Sequence, residues 1–178
     1  MLYVCGAEYS GQNASAAVRK LLAQAFSRLT GEAMPEIKKQ PGGKPYWEGS
    51  RWHFSLCHTR QAVFCAISDG AVGLDAEKIR PVSPATVSRV LSPEELRQFD
   101  GSDEGFMRFW TLKEAYVKYT GEGLHGYPNK ISFDVTGDAP LLSGSELSFA
   151  CLRCRDWMVS VCTTLPEALT VCWDEFKG

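Results

Sequence analysis

Two stretches of 3.6-residue apolar periodicity, set among short runs that alternate with a period of two, most constrain how this chain folds. The first helix is capped by Asn13 or Ser15 and runs through Leu29. Its apolar face carries Val18, Leu21, Leu22, Ala25, Phe26 and Leu29, and Gly31 ends it. The second, rich in aromatics, runs from about Glu104 to Tyr119 and stops at Gly121. "LYVCGAE" at the start reads as a strand, followed by strand-like runs at residues 52–57, 62–68 and 71–77. Further runs lie near residues 130–135, 146–152, 157–163 and 169–173. Ser83-Pro84 and Ser92-Pro93 each mark a helix start, and Ser92 to Glu95 fits the capping-box spacing. "KKQPGGKPYWEG" reads as a Pro/Gly-rich loop carrying three lysines. Helices and mostly antiparallel strands in separate runs indicate an α+β fold. Strand, helix and strands occur in that order twice, loosely, which suits two similar lobes.

The longest apolar runs fall short of the roughly 20 residues that span a bilayer. The N-terminus lacks the basic lead and apolar block of a signal peptide, so the expected location is the cytoplasm. Seven cysteines, an odd number without a signal peptide, argue for reduced thiols rather than a disulfide framework. "CLRC" at residues 151–154 has no second Cys or His pair at ligand spacing and reads as small residues packed in a sheet. Residues 1–60 hold 8 Lys/Arg against 4 Asp/Glu, whereas the rest hold 11 against 17. The basic front half suits an anionic ligand, and the acidic remainder can supply metal ligands. No basic patch interleaved with aromatics suggests a nucleic-acid groove.

In "VGLDAE", residues 72–77, Asp75 and Glu77 point to one face of a strand. Two adjacent carboxylates are accommodated if they are solvated, if one is protonated, or if a cation lies between them. An oxygen-only set with no His or Cys nearby in sequence points to a hard ion such as Mg²⁺. On the aromatic helix, Glu114 shares a face with Trp110 and Val117, and Lys118 follows it by four residues. An exposed Glu–Lys pair at that spacing is worth only about 0.2–0.5 kcal/mol. A carboxylate bordered by aromatics fits a third metal ligand beside a phosphate-binding ammonium better. Three carboxylates and a lysine suit attack on a phosphate or pyrophosphate, where positioning and charge neutralisation supply most of the rate.

Five ordered motifs make the chain resemble the 4′-phosphopantetheinyl transferases, in their longer, monomeric, pseudo-two-fold form. "GKPYW" is similar to the family's G-K-P, and "HFSLCHT" to its F-N-x-S-H-S. "VGLDAEKIRPV" is similar to G-I-D-I-E-x-x-x-P, and "LSPEEL" to F-S-x-x-E. "FWTLKEAYVKYTGEGL" resembles W-[ST]-x-K-E-[AS]-x-x-K-x-x-G-x-G-L. The likeness runs from about Lys44 to Val135, half the chain. Its departures are Ser55 for the usual Asn, Cys57 for the usual Ser, and a short N-terminal part without the family's basic segment. Arg19, Lys20, Lys38 and Lys39 are the candidates to replace that segment.

The resemblance implies two lobes, residues 1–70 and 71–178, with the active site at their interface. It implies a monomer that moves the phosphopantetheine arm of coenzyme A, its co-substrate, onto a serine of an acyl or peptidyl carrier protein. Adenosine 3′,5′-bisphosphate leaves. By that likeness, Asp75, Glu77 and Glu114 hold Mg²⁺, with Mn²⁺ as the alternative ion. Asp75, Glu114 and Lys118 are the catalytic set: Lys118 binds the pyrophosphate, and Glu114, or a water beside it, accepts the serine proton. Lys44 and Pro45 line the adenosine end, Cys57 and His58 lie at the phosphates, and Lys113 lies near the arm or the carrier. Two alternatives are a Mg²⁺-dependent phosphohydrolase and a coenzyme A- or carrier-binding protein without turnover.

Overall fold

The computed structural model describes residues 1–121, 128–164, 166 and 168–174. In chain order the elements are β1 (Leu2–Glu8), α1 (Ala14–Thr30), β2 (Ile37–Lys39), β3 (Pro45–Trp47), β4 (His53–His58), β5 (Ala62–Ser68) and β6 (Val72–Lys78). There follow α2 (Pro84–Val90), α3 (Pro93–Gln98), α4 (Asp103–Thr120), β7 (Phe133–Asp134), β8 (Leu141–Leu142), β9 (Ser148–Cys154), β10 (Trp157–Thr163) and β11 (Val171–Asp174). The α+β expectation holds.

The helix ends follow from side chains that take up orphaned backbone groups. Asn13 accepts from the Ala16 N–H at 3.0 Å, and Gly31 closes α1 in the left-handed region with φ 76°. Ser83 caps α2, and Ser92 and Glu95 form a complete capping box on α3. Ser102 caps α4, and Gly121 ends it with φ 76°. Asp103 and Glu104 in the first turn and Lys118 in the last suit the helix dipole. The end of the motif that begins at Phe109, residues 122–124, lies outside the described residues.

Four layers result. The first sheet has the order β11-β1-β5-β4 and the second β6-β10-β9. Leu21, Leu22, Ala25 and Phe26 of α1 pack on one face of the first sheet, against Cys5, Val63, Cys65 and Ile67. The opposite face of that sheet, with Val4, Phe64 and Ala66, meets Val72, Leu74, Ala76, Val159 and Val161 of the second. Helix α4 covers the outer face of the second sheet, with Phe109, Leu112 and Ala115 beside Phe149, Met158 and Cys162. Strand alternation thus sends Val72, Leu74 and Ala76 inward and leaves Gly73, Asp75 and Glu77 facing α4.

Two local expectations need correction, and the last strand gains a partner. The Pro/Gly-rich loop contains the β2–β3 ribbon, in which Ile37 pairs with Trp47 and Lys39 with Pro45. Residues near 130–135 form only the two-residue strand β7, because side chains take their backbone groups. Lys113 Nζ donates to the carbonyls of Pro128 and Ile131, and Glu95 accepts from the Phe133 N–H. The last strand, read at 169–173, is β11, and it lies parallel to β1 in the first sheet, with Val4 opposite Val171. All seven cysteines are free, and both "CLRC" cysteines belong to β9, as their strand-like setting suggested.

Candidate active site

Gly73 is what lets α4 reach β6. A methyl group there would fall 2.0 Å from the Ala115 carbonyl oxygen and 2.5 Å from the Tyr119 nitrogen. Those are backbone atoms of α4, which cannot step aside as a side chain can. Gly73→Ala is therefore expected to push α4 off the sheet at a cost of about 1–3 kcal/mol or more. A lowered melting temperature together with lost activity checks this; an unchanged melting temperature would show that the helix has room. Sequence reasoning used this residue only as part of a motif, although an isolated Gly within a strand is itself a signal of close backbone approach.

The contact brings two sets of charges together. Lys118 Nζ lies 2.7 Å from Asp75 Oδ1, and the Asp75 side chain is only 6% exposed. Asp75 Oδ2 is buried with no hydrogen-bond partner among the described residues. Burial, with the charge of Asp75 next, pushes the Glu77 carboxyl above its ordinary range. Burial and then Asp75, with a further contribution from Glu77, push Glu114 up to about 7. Burial opposes the charge of Lys118, but its ion pair with the Asp75 carboxylate works the other way, and the ammonium is held above the usual lysine value. Glu114 therefore senses both strand carboxylates, one of which is paired to the lysine one turn along its own helix.

Among the described residues, no three His, Cys, Asp or Glu side chains are gathered so that they could hold a metal ion as they stand. The chemistry of this corner nevertheless fits a hard divalent cation. Its donors are carboxylate oxygens, one buried oxygen lacks a partner, and two of the carboxyls are raised by burial and by their acidic neighbours.

A groove of about 660 Å³ opens beside this corner. Ser15 and Arg19 of α1, Lys44 and Pro45, Leu56 and His58, and Val117 and Lys118 contribute to its walls. Among the described residues its walls carry cationic side chains and no carboxylate, which suits a polyanion. Lys44 also donates to the Tyr119 carbonyl at 2.5 Å, tying the Gly42–Lys44 turn to the end of α4, and burial lowers its pKa. Of the basic candidates in the N-terminal part, Arg19 lines the groove, while Lys38 is paired with Glu48. Glu77 opens onto a second groove of about 650 Å³, where Arg80 and Arg89 flank Val82, Val90, Phe106 and Trp110.

Two assignments change. Cys57 is not on the groove wall. It is buried between the sheets, where burial and then Asp75 push its thiol up to about 12, so it stays a neutral S–H group. Lys113 does not reach the surface with its side chain. It is fully buried, 2.6 Å from Glu95 Oε2, and its ammonium also donates to the carbonyls of Val90, Pro128 and Ile131. Glu95, read from the sequence as a cap, does cap α3, but it is also the buried partner of Lys113. Nothing local in the sequence links these two residues, which come from different helices.

Comparison with known proteins points to one family. Residues 71–162 match the model of the 4′-phosphopantetheinyl transferase superfamily. The 4′-phosphopantetheinyl transferase AcpT of Escherichia coli strain K12 is 32% identical over 162 residues, covering 85% of this chain and 78% of that protein. The 4′-phosphopantetheinyl transferase psf-1 of Bacillus pumilus is 28% identical over 106 residues, 57% of this chain and 42% of its own length. A match to a Bacillus subtilis 4′-phosphopantetheinyl transferase covers 41% of that protein, so the chain spans about two fifths of these Bacillus relatives. Among solved structures, the Helicobacter pylori holo-[acyl-carrier-protein] synthase in complex with coenzyme A superposes with a TM-score of 0.46 at 20% identity, covering 52% of this chain and 97% of that one. With more than half of its residues inside the family model and a relative of similar extent at 32% identity, this chain belongs to the 4′-phosphopantetheinyl transferase superfamily.

Proposed function

We propose that this chain moves the phosphopantetheine arm of coenzyme A onto a serine of an acyl or peptidyl carrier protein and releases adenosine 3′,5′-bisphosphate. The observation that carries this reading is the Lys118–Asp75 pair at 2.7 Å, which joins a cationic groove to a carboxylate corner. Such a junction suits a ligand whose phosphates must be both bound and attacked.

In this reading Lys118 holds the pyrophosphate and stabilises the leaving phosphate as its charge grows. Arg19 adds positive charge along the groove, His58 offers its imidazole to a phosphate, and Pro45 with Leu56 and Val117 supplies an apolar wall for the adenosine. Glu114, or a water beside it, would accept the serine proton. Asp75, Glu77 and Glu114 would hold Mg²⁺, or Mn²⁺ in its place. The bound ion would supply charge neutralisation at the pyrophosphate. The second groove, apolar between Arg80 and Arg89, would receive the carrier. The reaction then takes place where residues 1–70 and 71–178 meet. We place the protein in the cytoplasm and take it to act as a monomer.

Incubation with coenzyme A, Mg²⁺ and an apo carrier protein, followed by intact-mass measurement, tests the proposal. Transfer adds about 340 Da to the carrier, as a covalent modification must. Coenzyme A cleavage with an unmodified carrier would replace this reading with hydrolysis. Binding without either change would replace it with a protein that only binds.

A further inference from the structure

We infer that Cys57 is a positioning residue for Asp75, through a stitch between the facing edges of the two sheets. β4 is the outer strand of the first sheet and β6 that of the second, and they belong to separate sheets. Side chains of β4 bridge them. Ser55 Oγ accepts the Leu74 N–H at 2.9 Å, and Cys57 Sγ accepts the Ala76 N–H at 3.3 Å. The two acceptors are spaced two residues apart on β4, as are the two donors on β6, so the pair imitates one step of a β-ladder. All four residues are buried, which leaves each of these N–H groups dependent on its side-chain partner.

The two positions differ in one respect. Ser55 reaches backbone only, whereas the Cys57 S–H also lies 3.4 Å from Asp75 Oδ1 and 3.4 Å from the Ala76 carbonyl. Asp75 Oδ1 therefore has two donors around it, Lys118 and the thiol, while Oδ2 has no partner among the described residues. When the single thiol hydrogen turns to Oδ1, it favours the orientation in which Lys118 receives that oxygen alone. The stitch sets which oxygen of Asp75 is engaged inside the protein and which is left for a ligand. A neutral S–H donor suits this task because it adds direction without adding charge to a corner that is already crowded with ions.

The inference rests on the proposed metal-dependent transfer, and its test separates the two. Mg²⁺ is titrated into each protein with melting temperature as the readout, and the half-saturating Mg²⁺ for carrier modification is measured alongside. Cys57→Ala and the volume-filling Cys57→Val are expected to raise the half-saturating Mg²⁺ in both measurements by about threefold to tenfold, as loss of one hydrogen bond implies. Cys57→Ser keeps a donor and an acceptor and should stay within about twofold of the wild type. Ser55→Ala should lower the melting temperature, because the Leu74 N–H is left unpaired, without moving the half-saturating Mg²⁺. Equal Mg²⁺ shifts for Ser55→Ala and Cys57→Ala would reduce Cys57 to packing and overturn the inference. Absence of any shift in the Cys57 variants would do the same. A wild type indifferent to Mg²⁺ in both measurements would overturn the metal reading of the site, and this inference with it.

Discussion

Asp75→Asn is expected to slow carrier modification by about a hundred- to a thousandfold while leaving the protein folded. The substitution keeps the shape and removes the charge. Loss of one preorganised electrostatic group from a catalytic site typically has an effect of that size. Lys118 would lose its ion-pair partner, and the metal corner would lose the carboxylate whose buried Oδ2 has no partner among the described residues. In the metal-free protein, Asp75 is the largest influence after burial that raises Glu114, so removing its charge should let the Glu114 pKa fall from about 7, as a titration without Mg²⁺ would read. Unchanged turnover with the Mg²⁺ requirement intact would remove Asp75 from the mechanism.

Lys113→Met should be the most damaging of the single substitutions for stability, at about 3–5 kcal/mol. Lys113 and Glu95 are each 0% exposed and lie 2.6 Å apart, so neither can turn to water when the other is removed. Burial alone would drive the ammonium to lose its proton; the hydrogen bond and charge of Glu95 work against that. The group also answers the carbonyls of Val90, at the end of α2, and of Pro128 and Ile131, in the turn before β7. Methionine fills the space and satisfies none of them. Denaturant unfolding should show the loss directly, and pairing the substitution with Glu95→Gln should recover part of it by removing the stranded charge. A cost below about 1 kcal/mol for Lys113→Met would mean that water reaches this pair.

Much of the fold was legible because helix and strand periods are written locally. The limits of α4 were placed within a residue, and the shared face of Asp75 and Glu77 follows from strand alternation alone. Both Ser-Pro starts became caps, since a side-chain acceptor and a preset φ act on the turn next to them. What failed was everything decided by a distant partner. A lysine among aromatics looks the same in sequence whether it reaches solvent or a buried glutamate on another helix, as Lys113 does. Cys57 sits in a recognisable motif, yet its side-chain direction depends on which sheet edge lies opposite. Parallel pairing of β11 with β1 has no local signature, since it involves the two ends of the described chain.

That last pairing bears on how the molecule assembles. β11 borders β1, so the first sheet acquires its outer strand only after residues 171–174 exist. A ribosome emitting the chain thus releases an unfinished sheet edge, exposed to pairing with other copies until those residues emerge. Closing so long a loop places the slow, entropically costly contact late, and truncation before β11 should weaken the half of the molecule that is made first.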